Sequence, residues 1–303
     1  MFDSFKRVRV KTTGAVINAV YAGDGPPLLL LHGYPETHVM WHKVAPRLAQ
    51  DFTVVVPDLR GYGDSSKPPG GDDHYAYSKR AMGQDQAEVM AALGFDSFLL
   101  AGHDRGARVA HRMALDYAER VRAVAVLDIV PTLSVFDNVT QALATSYFHW
   151  FFLIQPFDFP EHLIGADPEY YLRSRFARWG IDPRSFTEEA LAEYLRCFRD
   201  PKTIHATCED YRAAASIDLE HDRADPRKVT CPLLALWGTN GFVGKSYDVI
   251  AEWRERAVDV RGEGLDCGHF LPEENAGETW SALDKFYRSV APLANSHDSH
   301  ETR

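Results

Sequence analysis

Short, almost purely aliphatic runs recur through the first half of the chain, and longer stretches with helical spacing separate them. Leu28–His32, Thr53–Pro57, Phe98–Gly102 and Ala123–Leu127 read as strands, with Arg7–Lys11 and Ala15–Tyr21 ahead of them. Near-continuous Leu and Val mean strands buried on both faces, as inside a parallel sheet covered by helices. Helical patterns at Trp41–Ala49, Lys79–Leu93 and Arg105–Tyr117 fall between the strands, as crossover connections require. Two later strands, Leu233–Trp237 and Val258–Gly262, flank a helix at Tyr247–Arg256.

The pattern changes from about Thr132 to His221. Phe, Tyr, Trp and Arg crowd this segment, and strand alternation is missing. Helical spacing appears at Val135–Leu153, Pro168–Arg178, Thr187–Cys197 and Pro201–Ala215, interrupted at Pro156, Pro160 and Gly180-Ile181-Asp182-Pro183. A helical segment inserted between two strands of a parallel sheet reads as a cap over the strand ends, where ligands bind in open α/β folds. The expected organisation is an α/β core of residues 1–131 and 222–303 with a helical cap of residues 132–221.

A chain of 303 residues is long enough for one large core with such an insertion. Its net charge of −10 argues against nucleic acid or an anionic membrane as the main partner. The same charge opposes an anionic ligand at long range, so a local cationic pocket must hold any anion. Four cysteines are scattered without a C-x-x-C pair, which fits free thiols in a reducing cytoplasm. The apolar runs are too short to span a bilayer, and the N-terminus lacks the apolar stretch of a signal peptide. His297 and His300, in a polar tail from about Asn295, read as solvated residues rather than metal ligands. No metal or organic cofactor is expected.

Chemistry concentrates at Gly102-His103-Asp104-Arg105-Gly106-Ala107-Arg108. This turn follows a strand and opens a helix. Strand, glycine-pinched turn and helix form the setting of the nucleophile elbow, usually Gly-x-Ser-x-Gly. Here Asp104 takes the central place. A carboxylate gains little by attacking an acyl carbon, because the product is an anhydride. Attack on a saturated carbon with a leaving group gives an ester that water can cleave. The expected electrophile is therefore a carbon–halogen bond or an epoxide. Arg105 adjoins Asp104, and Arg108 lies one helical turn further on. A guanidinium pair beside an anionic nucleophile points to a substrate carrying its own carboxylate. The plain alternatives are a helix cap for Asp104 and a solvated helix face for the arginines.

The order of these features resembles the α/β-hydrolase fold over almost the whole chain. His32-Gly33-Tyr34-Pro35 is similar to its H-G-x-P loop. Asp58-Leu59-Arg60-Gly61-Tyr62-Gly63-Asp64-Ser65 resembles the D-x-R-G-x-G-x-S segment of haloalkane dehalogenases and epoxide hydrolases. Those families usually carry Trp after the nucleophilic Asp, where this chain has Arg105. The H-D-R-G-x-R version, with His149-Trp150 and Tyr211, is similar to the fluoroacetate dehalogenases.

That resemblance implies Asp104 as nucleophile and His269 as general base, with Asp128, at the end of the sixth strand, orienting the imidazole. It assigns Arg105 and Arg108 to the substrate carboxylate, and His149, Trp150 and Tyr211 to the departing halide. The backbone N–H groups of Tyr34 and Arg105 are the expected oxyanion hole. Tyr34 stands where Phe is more usual. Asp210 and Arg212, beside Tyr211, look like ordinary surface charges. Cys267 is not needed as a nucleophile once Asp104 fills that place. A homodimer is implied by the resemblance alone. The expected function is hydrolytic dehalogenation of small 2-haloacids, fluoroacetate first, to glycolate and halide. An epoxide hydrolase with the same Asp, His and Asp, protonating the opened oxygen through Tyr147 or Tyr211, is the runner-up. A ligand-binding protein on a hydrolase scaffold is a third reading.

Overall fold

The structure, a computed structural model, describes residues 1–290. His297 and His300 lie outside the described residues. Eight strands form one sheet: β1 (Lys6–Lys11), β2 (Val16–Ala22), β3 (Pro27–Leu31), β4 (Thr53–Pro57), β5 (Phe98–His103), β6 (Val121–Leu127), β7 (Leu233–Gly238) and β8 (Val260–Leu265). Their spatial order is β1-β2-β4-β3-β5-β6-β7-β8. Strand β2 is antiparallel to both neighbours, and every other adjacent pair is parallel. All six positions of β5 are buried, as expected of a central strand covered on both faces.

Helices α1 (Ala45–Leu48), α2 (Lys79–Ala92) and α3 (Asp104–Asp116) belong to the first half. Eight helices lie between β6 and β7: α4 (Thr132–Asp137), α5 (Gln141–Ser146), α6 (Phe148–Phe152), α7 (Phe159–Ala166), α8 (Pro168–Trp179), α9 (Glu188–Phe198), α10 (Pro201–Ala215) and α11 (Ile217–Ala224). Then come α12 (Phe242–Ser246), α13 (Val249–Arg254), α14 (Leu271–Glu274) and α15 (Ala276–Val290).

Several expected elements divide or shift. The single helix expected over Val135–Leu153 is three helices: the Thr140 side chain caps α5 by accepting from the Leu143 N–H at 3.2 Å, and the backbone leaves helical geometry again at Tyr147. The helix expected at Tyr247–Arg256 begins only at Val249, where Asp248 caps it by accepting from the Ala251 N–H at 3.0 Å. Strand β8 starts at Val260, two residues later than expected, because Val260 is the residue that pairs with Leu233. Over the stretch expected as a helix from Trp41 to Ala49, only a 3-10 turn at His38–Trp41 and α1 form.

Register places the functional end of the sheet. Leu31 pairs with Gly102, Gly102 with Val126, Leu127 with Leu236, and Gly238 with Leu265. Five parallel strands thus finish at one edge, and the residues just beyond them emerge side by side. The Asp58–Ser65 segment has a supporting role at this end. The Asp58 carboxylate is fully buried and accepts from the backbone N–H groups of His38 (2.8 Å) and Asp64 (2.9 Å). Arg60 Nε donates to Asp85 at 2.5 Å and its Nη1 to the Ala76 carbonyl at 2.7 Å. The motif therefore ties the loop after β4 to α2 rather than carrying chemistry of its own.

Candidate active site

Beyond that edge lies a cavity of about 280 Å³, bounded by the strand-end residues and by the helical insertion. Asp104, Asp128 and His269 line it from the sheet side, and Tyr147, His149, Trp150 and Trp179 from the helical side.

Asp104 sits between β5 and α3 with φ of +44°. That left-handed backbone is strained for a residue with a Cβ and persists only where the surroundings enforce it. Here they do. A Cβ on Gly102 would collide with the backbone of Gly106, and one on Gly106 with the backbone of Leu31 and His32. The two glycines let strand and helix approach closely enough to force the turn. The Asp104 side chain is buried, and its Oδ2 accepts from the Tyr34 N–H at 3.0 Å. Burial alone would raise its pKa, but His269, His103, Arg105 and Arg108 hold it below the usual carboxylate range. The carboxylate is therefore ionised although buried. Arg105's N–H is one of the first-turn amides for which helix geometry provides no intrahelical acceptor.

His269 lies in the loop after β8. Its Nδ1 faces Asp128 Oδ2 at 2.6 Å, and the other Asp128 oxygen accepts from the Gly238 N–H at 2.9 Å. Asp128 also has positive φ, +53°, directly after β6. With both oxygens engaged, the carboxylate fixes the imidazole and leaves Nε2 as its free nitrogen. Burial lowers the His269 pKa, but the hydrogen bond and charge of Asp128, with Asp104 and Glu36, bring it up to about 9.

The arginines are fully buried but unequal. Arg105 Nε and Nη2 donate to Asp210 at 3.0 and 2.7 Å, and Nη2 also reaches the Asp210 carbonyl at 2.8 Å. Its Nη1 has no hydrogen-bond partner. Arg108 Nη1 donates to the Val130 carbonyl (3.1 Å) and the Thr132 hydroxyl (2.9 Å), while its Nε is buried without a partner. No carboxylate among the described residues forms an ion pair with Arg108, and burial together with Arg105 lowers its pKa. Both guanidinium groups pack against aromatic rings, and neither they nor Tyr211 are among the residues that line the cavity itself. Arg105 lies 4.1 Å from the Tyr211 ring centre and Arg108 4.6 Å from that of Trp150.

His149, Trp150 and Tyr211 converge. Ring centres of His149 and Tyr211 are 5.6 Å apart, and those of Trp150 and Tyr211 6.1 Å. The Tyr211 hydroxyl and His149 Nδ1 are buried without partners. Burial pushes His149 well below the ordinary imidazole value, and Arg175 adds to that, so the ring is neutral. These unused donors are groups that a bound anion could satisfy.

One expectation fails. Asp210 and Arg212 are not surface charges: they are 0% and 6% exposed. Asp210 binds Arg105, accepts from Tyr62 Oη at 2.6 Å and pairs with Lys79. Lys79 in turn pairs with Asp218 at 3.2 Å. Arg212 bridges Glu161 (2.7 Å) and Glu209 (2.8 Å). Burying charges costs less when they are paired, and α10 carries its acid and base to the buried side for that reason. The departure at Tyr34 also finds its use, since Tyr34 Oη donates to Tyr171 Oη on α8 at 3.2 Å.

Two features escaped the sequence reading. Glu36, next to the H-G-Y-P loop, is buried with neither oxygen hydrogen-bonded, and its Oε2 lies 3.4 Å from His103 Nδ1. His103 Nε2–H donates to the His269 carbonyl at 2.8 Å, which leaves Nδ1 as the ring nitrogen that faces Glu36. Arg175 is buried among Phe148, Tyr171 and Trp179, donates only to Ser174 Oγ, and leaves Nη1 unpartnered. The adjacency of Glu36 to the loop was a usable signal; an arginine within an aromatic helix gives none.

An α/β hydrolase fold profile matches residues 26–276, and the chain belongs to that family. Within it, the chain is similar to the fluoroacetate dehalogenase of Burkholderia sp, 46% identical across 94% of this chain and 95% of the relative. It is also similar to the soluble epoxide hydrolase of Corynebacterium sp. (strain C12), 38% identical across 92% of this chain and 95% of the relative. A solved structure from Nostoc sp PCC 7120, assigned to the α/β hydrolases, superposes with a TM-score of 0.94 at 59% identity, covering 96% of this chain and 100% of that one.

Proposed function

We propose that this α/β hydrolase is a dehalogenase of small 2-haloacids, with fluoroacetate as its first substrate. The observation that carries the reading is a buried, ionised Asp104 facing the same cavity as the His269–Asp128 pair, with two buried guanidinium groups beside it. Arg108, whose charge no carboxylate among the described residues matches, and the free Nη1 of Arg105 hold the substrate carboxylate. Asp104 displaces halide from the neighbouring carbon and becomes an ester. His149, Trp150 and Tyr211 donate to the departing halide. Fluoride is strongly hydrated, so donors placed in advance where its charge develops lower the barrier.

The ester step alters the base. Part of the rise of His269 to about 9 comes from the Asp104 charge, which esterification removes. The imidazolium then releases its proton to solvent more readily, and the neutral ring takes a proton from the water that attacks the Asp104 carboxyl carbon and returns it to the departing glycolate oxygen. The Tyr34 and Arg105 N–H groups hold the resulting oxyanion. Glycolate leaves and the carboxylate returns. Residues 132–221 act as the cap in this scheme. Homodimeric assembly is part of the reading and is checked by light scattering. The four unpaired cysteines suit a reducing cytoplasm.

Fluoride-electrode assays with fluoroacetate, and halide assays with chloro- and bromoacetate, test the proposal. Halide release with equal glycolate is expected. A second reading, epoxide hydrolysis, is favoured by Tyr147 on the cavity wall and the unpartnered Tyr211 hydroxyl, which could protonate an opened epoxide. Diol from a styrene-type epoxide with no halide from any haloacetate would select it. Carboxylate binding without turnover would select the ligand-binding reading.

A further inference from the structure

The exposed part of the cavity lining has a charge pattern that the proposed chemistry does not use. Arg178, at the end of α8, and Lys245, in α12, both line the cavity and are both exposed. One comes from the helical insertion and the other from the segment after β7. Among the described residues neither forms an ion pair, and the polar or apolar residues lining the cavity beside them, such as Ser146, Ile181, Asn240 and Phe242, carry no charge. Among the described residues, the acids on the wall are Asp104 and Asp128 on the sheet side, and Asp128 is bound to His269. The chain as a whole is negative, with a net charge of −10. Cations that keep their charge unpaired at the opening of such a cavity make a local positive potential in an otherwise repelling field.

We propose that Arg178 and Lys245 form a cationic mouth that concentrates small monoanions in the cavity and selects them over neutral molecules of the same shape. The inference rests on the dehalogenase reading for the identity of the anion, a 2-haloacid carboxylate. The mouth acts before the chemical step. It changes occupancy of the cavity, hence KM, and leaves the barrier at Asp104 alone. Because both cations are exposed, their effect is screened by salt over about 8–10 Å near physiological ionic strength.

The test compares the intact protein with two double variants, Arg178→Gln/Lys245→Gln and Arg178→Glu/Lys245→Glu. Halide release from fluoroacetate is followed at low and high ionic strength set with sodium sulfate. At low ionic strength the charge-reversed variant should show KM raised on the order of tenfold and kcat within about twofold, with the neutral variant between. The difference should shrink at high ionic strength. Unchanged KM and salt dependence in both variants would overturn the proposal. Equal loss of kcat at every ionic strength would overturn it too, as the mark of a structural role. If the intact protein releases no halide, the dehalogenase reading falls by itself. The mouth is then judged with acetate, titrated against the indole fluorescence of Trp150 and Trp179. A weaker apparent Kd for acetate in the charge-reversed variant supports it, and an unchanged Kd overturns it.

Discussion

On the sheet side of the cavity, Asp104, Asp128 and His269 stand within a few residues of neighbouring strand ends. On the helical side, His149, Trp150 and Tyr211 are held by ring packing and by a buried charge network. The sheet side is fixed by backbone. Two of its residues have left-handed φ, and Asp128 is pinned by the Gly238 amide. The helical side is fixed by side chains that could in principle repack, and its anchor is the Asp210 link joining α10 to Arg105 on α3 and to Lys79 on α2. The groups proposed to react and those proposed to hold the substrate are thus positioned by different physics. They should therefore fail differently when altered.

The largest effect is expected on the sheet side. Asp104→Asn should reduce halide release by about 10⁴-fold or more, measured by fluoride electrode, with thermal stability little changed. Retained release would place the nucleophile elsewhere. On the helical side, Asp210→Asn should act first on stability. It leaves Arg105 and Lys79 short of a buried counter-charge, so urea unfolding should show a loss of about 3 kcal/mol, with KM raised as Arg105 loses its orientation. Unaltered stability would mean that the network is not what holds the helical wall. Tyr211→Phe removes one donor without disturbing the ring packing. Fluoride release should fall by about 10-fold and bromide release by less, because bromide depends less on replaced hydration. Equal losses for both halides would remove Tyr211 from the halide's surroundings.

The last effect is one of pH dependence and concerns His269. Its pKa is raised to about 9 in the folded protein from about 6.5 in the unfolded chain. Its contribution to stability is therefore fully present below about pH 6.5 and is lost as pH rises through about 9. His269→Asn should remove that alkaline limb from a plot of unfolding free energy against pH. An alkaline limb of unchanged size in the variant would assign it to another group.

The two sides also differed in how much the chain disclosed. Strand β5, the glycine pair and Asp104 were legible because buried strands and pinched turns impose local composition. Asp128 was legible as a strand end followed by Ile129-Val130-Pro131. His269, His149, Trp150 and Tyr211 needed the family resemblance, since a lone histidine or an aromatic helix looks the same in any core. The Asp210 link was not legible. A charged residue on a helix carries no local sign of its orientation, and only tertiary contact turned Asp210 toward Arg105. The same holds for the splitting of Val135–Leu153, where a threonine cap makes the first break against continuous helical spacing.

The covalent role of Asp104 is tested most directly by a single turnover of fluoroacetate in water enriched in oxygen-18, with protein in excess. Heavy oxygen is expected to enter the Asp104 carboxylate, read by mass spectrometry of its peptide, and the glycolate of that first turnover to carry none. Heavy oxygen in the glycolate with an unlabelled Asp104 peptide would mean that water attacks the substrate itself, and would contradict the account.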